Sequence, residues 1–331
     1  MRIVIVSPAP PGSRHGNRTT ALRWGRILQS LGHRVQHLTV YLGGGPDVLI
    51  ALHARRSYAS IERFHQEYPQ RPLIVTLTGT DLYRDLANSP EANRSLEWAT
   101  RIVALQRCAF DSLPAGLHGK VRVIEQSAIQ SQARPKQLTS CFEVCVIAHL
   151  RDVKDPLRAA EAARLLPPES RIQITHIGGV IQPEIEQRAR IEMRENRRYV
   201  WRGEWSHSET MRFLARSRLL VLTSVMEGGA NVVSEALALG VPVISSRIPG
   251  SIGLLGDDYP GYFEVGDTRS LAKLLGRAET DAGFYQDLVS RCRKLKPMVS
   301  PDRERRLWKE LLEEIAAAEH TTNSAQDPNK S

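Results

Sequence analysis

The sequence lacks the marks of several common protein classes. Its four cysteines, Cys108, Cys141, Cys145 and Cys292, form no CxxC pair. They read as free thiols in a reducing compartment, with Cys141 and Cys145 flanking or lying in an expected strand. No apolar stretch is long enough to cross a bilayer. The apolar segment of MRIVIVSPAP is too short for a signal peptide and runs straight into a strand, so a cytoplasmic protein with no integral membrane segment is expected. No zinc-finger, basic-zipper or RNA-recognition signature is present, and no nucleic-acid partner is expected. The histidines do not cluster around Asp257-Asp258, which reads as a loop and not as half of a metal site. Gly43–Gly45 lacks the GxGxxG context and reads as a turn. There is no short-period repeat.

What is present is a chain of 331 residues, 41% hydrophobic, with a net charge of +9 carried mostly by arginine. That length suits two domains. The cations are spread over the whole chain and point to an anionic ligand, with phosphorylated small molecules a sufficient explanation. Strands and helices alternate through two successive halves, an α/β pattern. Arg2–Val6 reads as the first strand. A loop rich in proline and glycine leads from it into a helix over Thr19–Leu31. Val35–Leu42 and Asp47–His53 are strands whose link is too short for a helical crossover, which suggests an antiparallel edge pair. A helix over Arg55–Tyr68, a strand over Leu73–Leu77, a helix over Ala92–Trp98 and strands over Arg101–Leu105 and Lys120–Ile124 complete the half. A polar stretch at Ser131–Thr139 is the linker. The domains are expected at 1–134 and 138–300. A terminal helix over 301–318 carries Leu307, Leu311, Leu312 and Ile315 on one face, and a polar tail over 319–331 reads as disordered.

The most informative stretch is Leu219–Ser245, LLVLTSVMEGGANVVSEALALGVPVIS. It reads as a buried strand, a glycine loop, a helix from Asn231 as N-cap to Gly240, and a returning strand over Val241–Ser245. A helix N-terminus after a glycine loop suits a diphosphate. Glu227 in the loop and Glu235 one turn into the helix suit sugar and ribose hydroxyls. His176, on an apolar strand, reads as a satisfied core or cleft histidine.

Glu227 and Glu235, seven residues apart in the intervening chain and followed by Gly240-Val-Pro242-Val, resemble the two-glutamate motif of GT-B glycosyltransferases. That resemblance implies two Rossmann-like domains facing a cleft, a nucleotide-sugar donor held by the second, and catalysis without a bound metal or other cofactor. It implies that Glu235 binds the ribose and Glu227 the donor sugar, and that the backbone of Gly228, Gly229, Ala230, Asn231 and Val232 lines sugar and diphosphate. Ala148–Lys154 resembles the start of the family's donor domain. Lys154 keeps its place, while His149 stands where an arginine is usual and Arg151 is close by. Gly178, Gly179, Gly203 and Glu204 complete the expected donor set.

A further resemblance runs over nearly the whole chain. Gly16–Trp24, Ala51–Ser57, Leu77–Asp85, Glu125–Ala128, Met226–Asn231 and Pro249–Tyr262 are similar to the selenosugar synthases of selenoneine biosynthesis. These join selenophosphate to the anomeric carbon of a UDP-sugar such as UDP-N-acetylglucosamine, releasing UDP and phosphate. The resemblance implies an acceptor set of Gly16, Asn17, Arg18, Thr19, His53, Arg55, Arg56, Thr78, Gly79, Thr80, Gln126 and Ser127. His15 lies on the same face. The catalytic set would be Lys154, Glu227 and Asp81, although a strand-end Asp81 can equally cap the turn that follows it. The histidine usual after the strand at Leu77 is absent, which suits an acceptor already anionic and in less need of a base. Transfer to a hydroxyl acceptor, and a UDP-sugar-binding protein without turnover, are the rival expectations.

Overall fold

The structure, a computed structural model, describes residues 1–10, 12, 16–129 and 137–325, with side chains as far as Ala318. His15, most of the expected linker and the end of the expected tail lie outside the described residues. The chain forms two compact units, Met1–Gln126 with Pro301–Ser331, and Ser127–Ser300. The second unit thus begins ahead of the expected boundary, and the terminal helix belongs to the first.

In the first unit, β1 (Arg2–Val6), β2 (Arg34–Leu38), β3 (Val48–Leu52), β4 (Leu73–Leu77), β5 (Arg101–Ala104) and β6 (Val121–Val123) form a sheet in the order β2-β1-β3-β4-β5-β6. Every pairing is parallel. Helices α1 (Gly16–Ser30), α2 (Tyr58–Glu67) and α3 (Pro90–Trp98) connect the strands. All five residues of β3 and of β4 are buried, because both sheet faces are covered. The alternation of a strand divides them: Leu49, Ala51 and Val75 pack with Phe64 and Leu96, while Ile50, Leu52 and Ile74 pack with Trp24 and Leu28.

The expected antiparallel edge pair is not formed. β2 and β3 lie on opposite sides of β1, both parallel to it. The link 39–47 must run back along a strand of about 17 Å and across two spacings of about 4.8 Å. Nine extended residues reach about 30 Å, so a crossover without a helix suffices.

In the second unit, β7 (Phe142–Ile147), β8 (Ile172–Ile177), β9 (Tyr199–Trp201), β10 (Leu219–Leu222), β11 (Val243–Ser246) and β12 (Tyr262–Phe263) form a parallel sheet in the order β12-β11-β10-β7-β8-β9. Helices α4 (Arg158–Arg164), α5 (Pro183–Glu195), α6 (His207–Arg216), α7 (Asn231–Leu239), α8 (Pro249–Leu255), α9 (Thr268–Thr280) and α10 (Ala282–Leu295) surround it. Sequence reading expected neither the short α8 nor the two-residue β12. Neither is long enough to show a period.

Helix α11 (Pro301–Ala325) runs past the expected end at Ala318. Its Trp308, Leu311, Leu312 and Ile315 join the core containing Trp24 and Leu28. Trp24 and Trp308 meet edge to face at 4.8 Å. The buried Glu304 accepts hydrogen bonds from Trp24 Nε1 at 2.7 Å and Arg23 Nε at 3.1 Å. No helix among the described residues is long and apolar enough to cross a membrane.

Candidate functional site

The expected donor residues gather where β7, β8, β9 and β10 end. Gly178 follows β8 and touches the segment after β7 so closely that a Cβ there would sit 1.7 Å from the Ala148 carbonyl oxygen. Only glycine permits that approach. Gly178 N donates to Gly203 O at 2.8 Å, and Leu150 N to Gly179 O at 2.9 Å. Gly203 has φ +71°, a left-handed conformation. The exposed Glu204 reaches back so that its Oε2 would lie 3.1 Å from a Cβ at Gly179.

Two histidines belong to this lacing. His176 is buried; its Nε2 lies 2.8 Å from Ala148 O and its Nδ1 2.8 Å from the Tyr199 hydroxyl. A carbonyl only accepts, so Nε2 carries the proton and Nδ1 accepts from Tyr199. Burial pushes the His176 pKa down to about 4. This is the satisfied core histidine expected from its apolar strand. His149 Nδ1 accepts from Gly179 N at 3.1 Å. A backbone N–H is only a donor, so His149 is neutral in this arrangement, its proton on Nε2. Arg151 follows with extended backbone, at the start of a 3-10 turn over Asp152–Lys154.

Lys154 Nζ ion-pairs with Glu227 Oε1, the one from the loop after β7 and the other from the loop after β10. Both side chains are largely buried. The Ser224 hydroxyl donates to the same Glu227 oxygen at 2.6 Å, and Thr223 Oγ1 donates to Lys154 O at 2.9 Å. Gly250, on α8, presses on this loop: a Cβ there would lie 2.1 Å from Glu227 O. Helix α7 opens one residue earlier than expected. Ala230 is the N-cap, with φ −72° and ψ 108° and no side-chain cap bond, and Asn231 is the first helical residue. Gly240 closes it with φ 72°, as read from the sequence. Gly228, Gly229 and Val232 lie on either side of this N-terminus. One turn in, Glu235 Oε1 meets His207 Nε2 at 2.9 Å.

Sequence reasoning missed Ser224, His207, Gly250 and the Tyr199–His176 pair. Ser224 acts within its own loop, three residues from Glu227, whereas the others act through partners distant in the chain, of which local periodicity carries no trace. The Pro249-Gly250 dipeptide was the one local signal, since a glycine inside a helix invites the question of what sits against it.

The first-unit residues fall on the strand ends of that unit. Gly16, Asn17, Arg18 and Thr19 form the first turn of α1. Asn17 Nδ2 donates to Thr78 Oγ1 at 3.4 Å, and Gln126 Nε2 to Thr20 Oγ1 at 2.5 Å. Ser127 is buried and begins the second unit. Arg55 and Arg56 lie in a turn over 53–57 ahead of α2, both exposed, and not on the first turn of a helix as expected. Arg55 Nε donates to Asp85 Oδ2 at 2.8 Å.

Asp81 requires a correction. It is fully buried. Its Oδ1 accepts from the amides of Thr78 and Gly79 at 2.8 Å and of Leu82 at 3.1 Å. Its Oδ2 accepts from Ala54 N at 3.1 Å. A carboxylate so engaged clamps the 53–57 turn to the 78–82 loop, the local-capping role weighed for it, and has no face left for donor sugar or cation. Among the described residues, no group of three or more His, Cys, Asp or Glu is placed to hold a metal ion.

Residues 131–295 match the family described as Glycosyl transferases group 1. The chain is 23% identical over 306 residues to Glycosyltransferase 1 domain-containing protein 1 of Xenopus tropicalis, covering 84% of this chain and 88% of the relative. Among solved structures it is similar to Anabaena HepE in complex with UDP and glucose, with a TM-score of 0.72, 15% identity, and 95% and 100% of the two chains covered. It is also similar to sucrose-phosphate synthase of Thermosynechococcus elongatus, with a TM-score of 0.74, 15% identity, and 96% and 99% covered. At that identity the likeness establishes the GT-B fold.

Proposed function

We propose that this chain, a glycosyltransferase of GT-B fold with its group 1 domain at residues 131–295, transfers the glycosyl group of a UDP-sugar to selenophosphate. UDP-N-acetylglucosamine is the sugar nucleotide of choice. In the reaction a selenium–carbon bond forms at the anomeric centre as the bond to the UDP oxygen breaks. Hydrolysis of the phosphorus–selenium bond then releases phosphate and leaves a 1-selenosugar.

The observation that carries the donor half is the Lys154–Glu227 pair. Two strand-end loops bring a cation and a carboxylate together beside a helix whose N-cap has no side-chain acceptor. Lys154 suits the charge that builds on the departing UDP. The α7 N-terminus suits its diphosphate. His149, held as an Nε2–H donor by Gly179, supplies one hydrogen bond and no charge, so Arg151 is the residue of the two that brings a cation. Glu227 orients the sugar and Glu235 the ribose. No metal or other cofactor enters this reading.

The acceptor half rests on the resemblance to selenosugar synthases and on the first-unit arginines. The saturated Asp81 supports it too. A hydroxyl acceptor needs a base to take its proton, and Asp81 is not available as one; selenophosphate is already an anionic nucleophile.

The test is incubation of purified protein with UDP-N-acetylglucosamine and selenophosphate, reading UDP release and selenosugar mass. Both are expected. A folded sample that makes neither sinks the reading. UDP release with a hydroxyl acceptor alone would point to conventional transfer, and tight UDP binding without turnover to a sensor.

A further inference from the structure

We propose that the Thr80 hydroxyl is the hydrogen-bond donor through which the first unit holds a phosphate-type oxyanion, and that His53 is the residue that positions it. The inference rests on the reading that the first unit receives an anionic acceptor, and names the groups that receive it.

His53 follows β3 with φ 77°, in the left-handed region. A histidine there carries a steric strain that glycine would not. The turn carries the imidazole beneath the 78–81 loop, where it is buried. Arg56 N lies 3.2 Å from His53 Nδ1, and Thr80 Oγ1 lies 3.0 Å from Nε2. The amide can only donate, so Nδ1 accepts and the ring proton sits on Nε2, directed at Thr80. Protonating Nδ1 would set two N–H groups against each other. Burial, which holds the His53 pKa below the ordinary value, favours the same neutral form. Asp81 and Asp85 approach the ring at 3.9 and 3.8 Å. Asp81 is occupied by backbone amides, and Asp85 accepts from Arg55 at 2.8 Å and Arg84 at 3.3 Å.

With its oxygen already accepting from His53, the Thr80 hydroxyl is set to donate its own proton, and Thr80 is only half-buried. The surroundings are cationic. Arg55, Arg56 and Arg84 outnumber the two carboxylates beside the ring, Asp81 and Asp85, and the Arg56 guanidinium makes no hydrogen bond or ion pair among the described residues. A hydroxyl donor amid surplus guanidinium charge suits an oxyanion better than a neutral sugar hydroxyl.

The test uses the full-length protein and calorimetric titration with inorganic phosphate and, separately, glucose 6-phosphate, so that a free anion and a phosphorylated sugar are told apart. Thr80→Val is expected to weaken the preferred ligand about tenfold or more, and Thr80→Ser to keep it within a few fold. His53→Asn, which tolerates the left-handed backbone, should weaken it comparably while UDP affinity stays unchanged. Nitrogen NMR of labelled histidine should show His53 protonated on Nε2. Failure of the wild-type protein to bind either phosphate, unchanged binding in Thr80→Val, or an Nδ1 proton on His53 would overturn the inference. Phosphate binding through Thr80 in a protein that makes no selenosugar would instead remove the selenophosphate reading and leave this site standing.

Discussion

Lys154 and Glu227 come from loops separated by some seventy residues of chain, and each balances the other's charge away from bulk water. Removing the cation leaves a largely buried carboxylate and, on the function proposed above, takes a positive group from the departing UDP. Lys154→Ala is expected to lower kcat/KM by about 10²–10³, read as UDP release under donor saturation and at limiting donor. A loss smaller than about threefold would place Lys154 outside the chemistry. His176 makes a prediction of a different kind. Its pKa is lowered from 6.5 to about 4 by burial. Above pH 6.5 the neutral form is preferred in both states and its contribution is fully present. As pH falls, the unfolded chain takes up a proton that the fold refuses, so stability drops between pH 6.5 and about 4, by about 3 kcal/mol in all. Urea titrations at pH 7, 5.5 and 4.5 on wild type and His176→Gln check this. The slope difference between the two should carry that loss, and equal slopes would contradict it.

Among the elements, the α8 contact shows how the Glu227 loop is shaped from outside. Gly250 lies flat on the Glu227 carbonyl, and a methyl group there forces backbone apart. Gly250→Ala is expected to destabilise by about 1–3 kcal/mol and to raise the KM for UDP-sugar, measured by urea denaturation and initial rates. Wild-type values for both would show that the loop yields freely. This contact also marks the limit of what the sequence reveals. β3, β4, β8 and β10 were legible because short apolar runs such as LIVTL and LLVL, bounded by turn residues, suit strands buried on both faces. Gly240 was legible because a helix end needs a left-handed residue. The two-glutamate spacing singled out the loop between β10 and α7 for the same local reason. What could not be read was pairing across the chain: the order β2-β1-β3, the amides that claim Asp81, and His207 against Glu235. Those depend on which loops the sheet brings together, and Arg55 and Arg56 moved from helix to turn because Asp81 pins the backbone at Ala54.

At the scale of the molecule, the chain leaves the first unit at Gln126 and returns to it at Pro301. Helix α11 closes the sheet face that holds Trp24 and Leu28. A chain ending at Ser300 would expose that face and leave Arg23 without Glu304. Such a truncation is expected to unfold the first unit while the second stays folded. Limited proteolysis with mass spectrometry should yield a resistant core near 137–300, and equal protection of both units would refute the expectation. The point of insertion has one more consequence. Ala128 N and Val299 O are joined by a hydrogen bond of 3.1 Å, so the second unit begins and ends at the same place. During synthesis at ~5–20 residues per second, roughly 10–35 s separate the exit of Gln126 from that of Pro301. Through that interval the second unit can complete its sheet and pin its two ends together. The first must wait with an indole-lined face open to solvent or to a chaperone. The nascent first unit, and not the second, is therefore the part of this enzyme most exposed to aggregation at birth.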